Sequence, residues 1–157
     1  MFSEIPGFGP LAVLVVLSEI GLNMSRFETA GHLVSWTGLY PRNDESAGKC
    51  RSTRMRKGAP WLKTILIQCV WAAVRIKGSY FQAQYHRLRS RRGSKKAICA
   101  VAAALLTTVY HMLKNATCYQ DLGQNHFDQK AKEKHILRPV NRLENLDFEV
   151  QIVPKEA

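Results

Sequence analysis

Residues 97–113 carry no charged side chain, and this run limits what the chain can fold into more than any other feature. It is Ala-rich and nearly all apolar beyond the first turn begun by Lys95 and Lys96, and its small residues (Ala97, Ala100, Ala102 to Ala104) let a neighbouring helix approach closely. A helix that is apolar almost all round belongs inside a protein core or a membrane. The run includes Thr107, Thr108 and His111 and falls short of the ~20 strongly apolar residues a bilayer span requires. It therefore predicts a buried helix and no membrane partner.

The rest of the chain reads as further helices, so the expected fold class is mainly α. Ile5-Pro6-Gly7-Phe8-Gly9-Pro10 is a Gly-rich turn feeding a buried helix that begins at 11–17 and ends near Gly21. Ser25 followed by Glu28 forms a capping box for a second helix over 26–36, which Gly38 stops. Apolar periodicity then disappears over 39–58, where Pro41, Gly48 and Gly58 punctuate a polar, basic segment. A loop of that length is uncommon unless it has a function. It is expected to lack regular strand pairing and to be more mobile than the helices until nucleic acid binds.

Pro60 begins a helix whose Trp61, Leu62, Ile65, Leu66, Cys69, Val70 and Ala73 recur at helical spacing and should bury one face. After Gly78-Ser79, the residues Tyr80, Phe81, Gln84, Tyr85 and Leu88 mark a shorter amphipathic helix with a basic C-terminal end, closed by Gly93-Ser94. A final helix is predicted over 134–144, and Phe148-Val150-Ile152 alternates like a short strand. The expected division is a domain over 1–123 and a mixed-charge tail over 124–157.

The 157 residues are 46% hydrophobic, enough for a core, and carry 23 Lys+Arg against 12 Asp+Glu, a net charge of +11. Such a surplus points to a polyanionic partner. No Asp or Glu occurs over residues 46–120, where fifteen Lys or Arg lie. Solvated faces normally mix both signs. Within the stretch, Lys49, Arg51, Arg54, Arg56 and Lys57 form one cluster, and Arg87, Arg89, Arg91, Arg92, Lys95 and Lys96 form another, both read as phosphate-contacting surfaces. Residues 1–10 carry Glu4 and no Lys or Arg, so they lack the positive start of a signal peptide, and a cytoplasmic protein is expected. Cys50, Cys69, Cys99 and Cys118 include no CxxC pair and the five histidines no HxxxH pair, which argues against a zinc site or a disulfide framework.

Two short motifs carry chemistry. Pro6-Gly7-Phe8-Gly9 before an apolar helix has the pattern of a helix-hairpin-helix start, in which Gly7 and Gly9 let backbone N–H groups approach a phosphate; a simple tight turn uses the same residues. Residues 42–49, Arg42-Asn43-Asp44-Glu45-Ser46-Ala47-Gly48-Lys49, set a small hydroxyl beside a flexible glycine and several cations. A serine there can attack phosphorus if Lys49, Arg51 and Arg54 stabilise the phosphorane. By itself a loop serine is more often a turn former or a cap.

These motifs occur in order with Phe27, Ala30, His32-Leu33, Ser35-Trp36, Gly38-Leu39, Pro41, Arg56-Lys57-Gly58 and Trp61-Leu62. Gln84-Tyr85, Arg91-Arg92-Gly93, Ala97, Tyr110-His111-Met112-Leu113 and Tyr119-Gln120-Asp121-Leu122-Gly123 continue the series. Across roughly residues 5–128 the chain resembles the C-terminal domain of the bridge-RNA-guided insertion-sequence transposases. The resemblance implies a catalytic serine that forms a covalent phosphoserine link with DNA, and an N-terminal DEDD domain of Holliday-junction-resolvase type that holds Mg²⁺. Ser46 best fits that serine and Ser52 is the alternative, because some relatives read Ser-Thr-Gly-Gly where this chain reads Glu45-Ser46-Ala47-Gly48.

The reading expects the acidic domain to be missing before Met1, leaving the chain inactive alone and without a cofactor of its own. Expected partners are DNA, a guide RNA, and further copies of the chain or the full-length transposase. The alternative function is a noncatalytic nucleic-acid-binding remnant or regulator of the element.

Overall fold

The computed structural model describes residues 2–42, 44–52 and 54–150. They divide into two units, Met1–Gln124 and Asn125–Ala157. Among the described residues of the first unit, helices α1 (Pro10–Ile20), α2 (Ala30–Thr37), α3 (Pro60–Ala73), α4 (Tyr80–Arg92) and α5 (Ser94–Asn115) account for most of the chain. The short strands β1 (Asp44–Ser46) and β2 (Lys49–Ser52) lie between α2 and α3. The second unit holds α6 (His126–Glu144). The fold is mainly helical.

The uncharged run lies within α5, which packs against α2, α3 and α4, while α1 lies on α3. By length and composition α5 could cross a membrane, but half of its apolar window is buried within the protein. Val101, Ala102, Leu105, Leu106 and Val109 are fully enclosed. Each large aliphatic side chain removed from water in this way contributes about 2 kcal/mol. Facing residues supply the other half of the core: Val16 and Ile20 from α1, Leu33 and Val34 from α2, Leu62, Leu66 and Val70 from α3, and Phe81 and Tyr85 from α4.

Local signals set most helix ends. Pro10 and Pro60 occupy first-turn positions, where the missing N–H costs nothing. Gly21 and Gly38 close α1 and α2 with φ of 73° and 76°. The Ser79 hydroxyl caps α4 by accepting from the Gln82 N–H. A distant residue completes that end, since Asp121 accepts from the N–H groups of Tyr80 (2.9 Å) and Gly123 (2.7 Å) and so ties the strap after α5 to the start of α4.

Several sequence expectations are corrected. The second helix begins at Ala30, capped by Thr29, and not at Arg26 behind Ser25; Met24–Arg26 is a 3-10 turn capped by Asn23. The Tyr110 hydroxyl of α5 lies 2.9 Å and 3.0 Å from the carbonyls of Phe27 and Glu28, which are drawn toward α5 in an extended segment. Trp61 is 74% exposed although expected in the buried face. That face is centred on Leu62, Leu66, Val70 and Ala73, and Trp61 lies about 100° round the helix from Leu62.

The final helix starts at His126 and not at 134. Residues 148–150 form no strand, because the Phe148 N–H closes α6 on the Leu143 carbonyl at 3.2 Å; Ile152 lies outside the described residues. The segment over 39–58, expected as a loop without strand pairing, contains the β1–β2 hairpin.

Candidate nucleic-acid interface

The hairpin is the outer part of a longer antiparallel arm. At its root the Leu39 N–H follows the end of α2 by bonding to the Val34 carbonyl, and Leu39 itself is buried. Pro41 then bridges Met55, and the Arg42 N–H donates to the Arg54 carbonyl at 2.8 Å. Farther out Asp44 pairs with Ser52, Glu45 with Cys50 and Ser46 with Lys49, with a bulge between Asp44 and Glu45. Ala47 and Gly48 make the tip with φ of 52° and 73°, the positive values at both central positions that a type I′ turn demands.

The returning strand is pinned at its base. Gly58 approaches the end of α2 so closely that a side chain there would overlap the Thr37 carbonyl, and Lys63 of α3 donates to the Arg56 carbonyl at 2.9 Å. These contacts hold Arg54, Arg56 and Lys57, all exposed, near the protein body. Ser46 and Lys49 face each other across the tip and are exposed. A cross-strand pair shares one face of its ribbon, so the ammonium group belongs to the same side as the hydroxyl. Ser52 is half-buried and its Oγ accepts from the Arg54 N–H at 3.3 Å. Of the two candidate nucleophiles, Ser46 is thus the one at the tip and Ser52 the one engaged in a local turn. Arg51 lies on β2.

The second cluster surrounds the sharp turn from α4 into α5. Arg87, Arg89, Arg91 and Arg92 end α4, Gly93 turns with φ 81°, and Lys95 and Lys96 open α5; all six cations are exposed. Arginines suit the negative end of a helix dipole. Lysines in a first turn oppose the positive end, at a cost of about 0.3–1 kcal/mol each that a bound polyanion would relieve.

The structure brings this junction to the base of the arm. Tyr40, Arg42 and Met55 from the arm, Leu88 and Arg92 from α4, and Lys95, Lys96 and Ala100 from α5 line one groove of about 540 Å³. Cys99 also lines it; burial raises its thiol pKa, and the charge of Lys63 partly offsets the rise. Cations of both clusters are legible in the sequence, whereas Tyr40 and Lys63 take their roles from contacts that no spacing along the chain reveals.

Gly7 and Gly9 separate in role. Gly7, at φ 81°, is pressed against the α3 backbone at Cys69 and Ala73, whereas the space beside Gly9 is open. Before the turn stands a single 3-10 turn, Phe2–Glu4. A second cavity of about 380 Å³ lies between α4, α5 and the strap, lined by Tyr80, His111, Cys118 and Tyr119 among others. Burial, and after it the Asp121 carboxylate 3.2 Å away, push the Tyr119 hydroxyl pKa well above its ordinary range. Among the described residues no three His, Cys, Asp or Glu side chains converge as a metal site.

Comparison with curated proteins finds no match. The family model for the transposases of the IS116/IS110/IS902 family matches residues 1–86, which span α1, α2, the arm, α3 and the first half of α4. That match covers more than half of the chain, and the protein belongs to the IS116/IS110/IS902 transposase family.

Proposed function

We propose that the chain is a DNA-binding part of an insertion-sequence transposase and that Ser46 is its nucleophile in strand exchange. The observation that carries the reading is an exposed hydroxyl at the tip of a cationic arm, opposite Lys49, in a chain of this family. Arg54, Arg56 and Lys57 on the arm, with Arg51 on β2, and the α4–α5 junction bind the phosphate backbone. Backbone N–H groups near Gly9 add to that surface, while Gly7 contributes chiefly by packing.

In the chemical step the Ser46 Oγ forms a bond to the scissile phosphorus. The bridging P–O bond breaks, the serine proton passes to solvent or an external base, and the departing sugar oxygen takes up a proton. Lys49 stabilises the extra negative charge of the phosphorane. In this reading Mg²⁺ is held by the DEDD domain that the resemblance implies, and guide RNA belongs to the complete assembly. The reading places the chain with DNA in the cytoplasm, acting with other copies of itself.

The test is reconstitution with a DEDD domain, Mg²⁺, guide RNA and donor DNA, scored by covalent protein–DNA adduct on a denaturing gel. Ser46→Ala should abolish the adduct and leave DNA affinity nearly unchanged, because a nucleophile acts in the transition state and little in the ground state. Ser52→Ala should retain it. Adduct formation by Ser46→Ala with loss in Ser52→Ala would move the nucleophile to residue 52. Unchanged adduct in both would place the nucleophile outside these two serines, and absence of any adduct with the unaltered chain would leave a noncatalytic DNA-binding protein.

A further inference from the structure

The groove at the base of the arm has a composition that phosphate binding alone does not require. Its floor is apolar, built from Leu39, Met55, Leu88, Ala100 and Ala103, and its rim carries Arg42, Arg92, Lys95 and Lys96. Tyr40, 44% exposed, stands at the arm side. A phosphate track needs cations and hydrogen-bond donors, and an apolar floor adds nothing to it. An unstacked nucleotide needs both parts, since its base must leave water onto apolar or aromatic surface while its flanking phosphates meet positive charge. The volume of about 540 Å³ lies within the roughly 300–1,000 Å³ of pockets that enclose small organic ligands.

We infer that this groove receives an unpaired nucleotide of a DNA strand, its base on the Leu88–Ala100–Ala103 floor beside Tyr40 and its phosphates against Arg42, Arg92, Lys95 and Lys96. The inference rests on the DNA-binding reading above and deepens it. Strand exchange must unpair nucleotides near the broken bond, and the groove lies at the root of the arm that carries Ser46. Charge complementarity selects the occupant: among the described residues the groove is lined by four cations, Arg42, Arg92, Lys95 and Lys96, and by no Asp or Glu. An acidic or apolar peptide would leave one half of this surface unmatched.

The experiment measures binding of the full chain, by fluorescence anisotropy at fixed salt, to a short paired DNA duplex and to the same duplex with one bulged nucleotide. A third duplex carries an abasic bulge, and a fourth places the bulge in RNA. The bulged DNA should bind about tenfold tighter than the paired duplex, the scale of one base stacked on protein, and the abasic bulge should lose that gain. Ala100→Trp fills the exposed floor and Tyr40→Ala removes the ring. Each should erase the preference for the bulge while paired-duplex affinity stays within twofold. Alkylation of Cys99, followed by peptide mapping, should slow in the presence of bulged DNA and not of paired DNA.

Equal binding of bulged and paired DNA by the unaltered chain overturns the inference and leaves the DNA-binding reading standing. A preference that survives Ala100→Trp, that persists with the abasic bulge, or that occurs only with RNA overturns it as well. Failure to bind any DNA duplex overturns both readings together.

Discussion

A methyl group on residue 7 would overlap the Cys69 carbonyl oxygen and stand 2.7 Å from the Ala73 nitrogen, in a backbone conformation that already disfavours a side chain. Gly7→Ala should therefore destabilise the chain by about 3 kcal/mol, combining positive-φ strain with overpacking. Gly9→Ala, with open space and φ −87°, should shift stability by less than about 0.5 kcal/mol. Urea denaturation of the two variants checks the contrast, and comparable losses would contradict the packing role given to Gly7. Cys69 offers a second residue-scale test. Burial raises its thiol pKa from the ordinary 9.0 to about 11, so the folded protein holds its proton more tightly than the unfolded chain. Its contribution to stability is fully present below pH 9 and is lost as pH rises through about 11. Wild type should lose more stability than Cys69→Ala across that window, and parallel pH profiles would refute the assignment.

The arm depends on pairing between strands, and its weakest position is Ala47, a non-glycine residue at φ 52°. Left-handed backbone costs an alanine about 1 kcal/mol, so Ala47→Gly should tighten the tip despite the added entropy of glycine in the unfolded chain. The expected readout is slower amide hydrogen exchange at Arg42, whose N–H is bonded across the arm to Arg54. Faster exchange would show that the turn does not limit the arm. The α4–α5 junction has the opposite character, because both helices are long and their inner faces are buried around Phe81, Tyr85, Ile98 and Val101. Its cations are thus presented on a rigid corner, whereas Ser46 rides on a two-stranded ribbon.

For the first unit as a whole, the positive charge lies on its surface and the core is almost wholly apolar, with Thr37 and Ser79 the buried polar side chains among the described residues. DNA affinity should consequently be electrostatic, with a slope of log K against log salt exceeding about four in magnitude for five or more phosphate contacts. Arg91→Ala with Arg92→Ala should weaken binding to all sequences alike and lower that slope by about two, while helical content and unfolding midpoint stay unchanged. Both residues are exposed at the end of α4, so unfolding of the double variant would mean that they hold structure. Salt-insensitive binding would remove the basic clusters from the interface.

Local signals along the chain account for those parts of this molecule whose causes act within a few residues. Prolines at the first turns of α1 and α3, glycines after α1 and α2, and apolar residues recurring every three or four positions define four of the helices closely, and the acid-free stretch names the surface cations. Tertiary structure decided the rest. The carbonyls of Phe27 and Glu28 meet Tyr110 more than 80 residues away, which delays α2 to Ala30. Residues 39–58 carry no alternating apolar pattern, so their pairing follows from anchoring at Gly58 and Lys63 and from the turn at Ala47-Gly48. Trp61 is exposed because α3 is rotated to place Leu62, Leu66 and Val70 on the core. The groove exists only once the arm folds back beside the α4–α5 corner. Periodicity reports which face of an element leaves water, and it carries no information about which distant segment that face, or a carbonyl beside it, will meet.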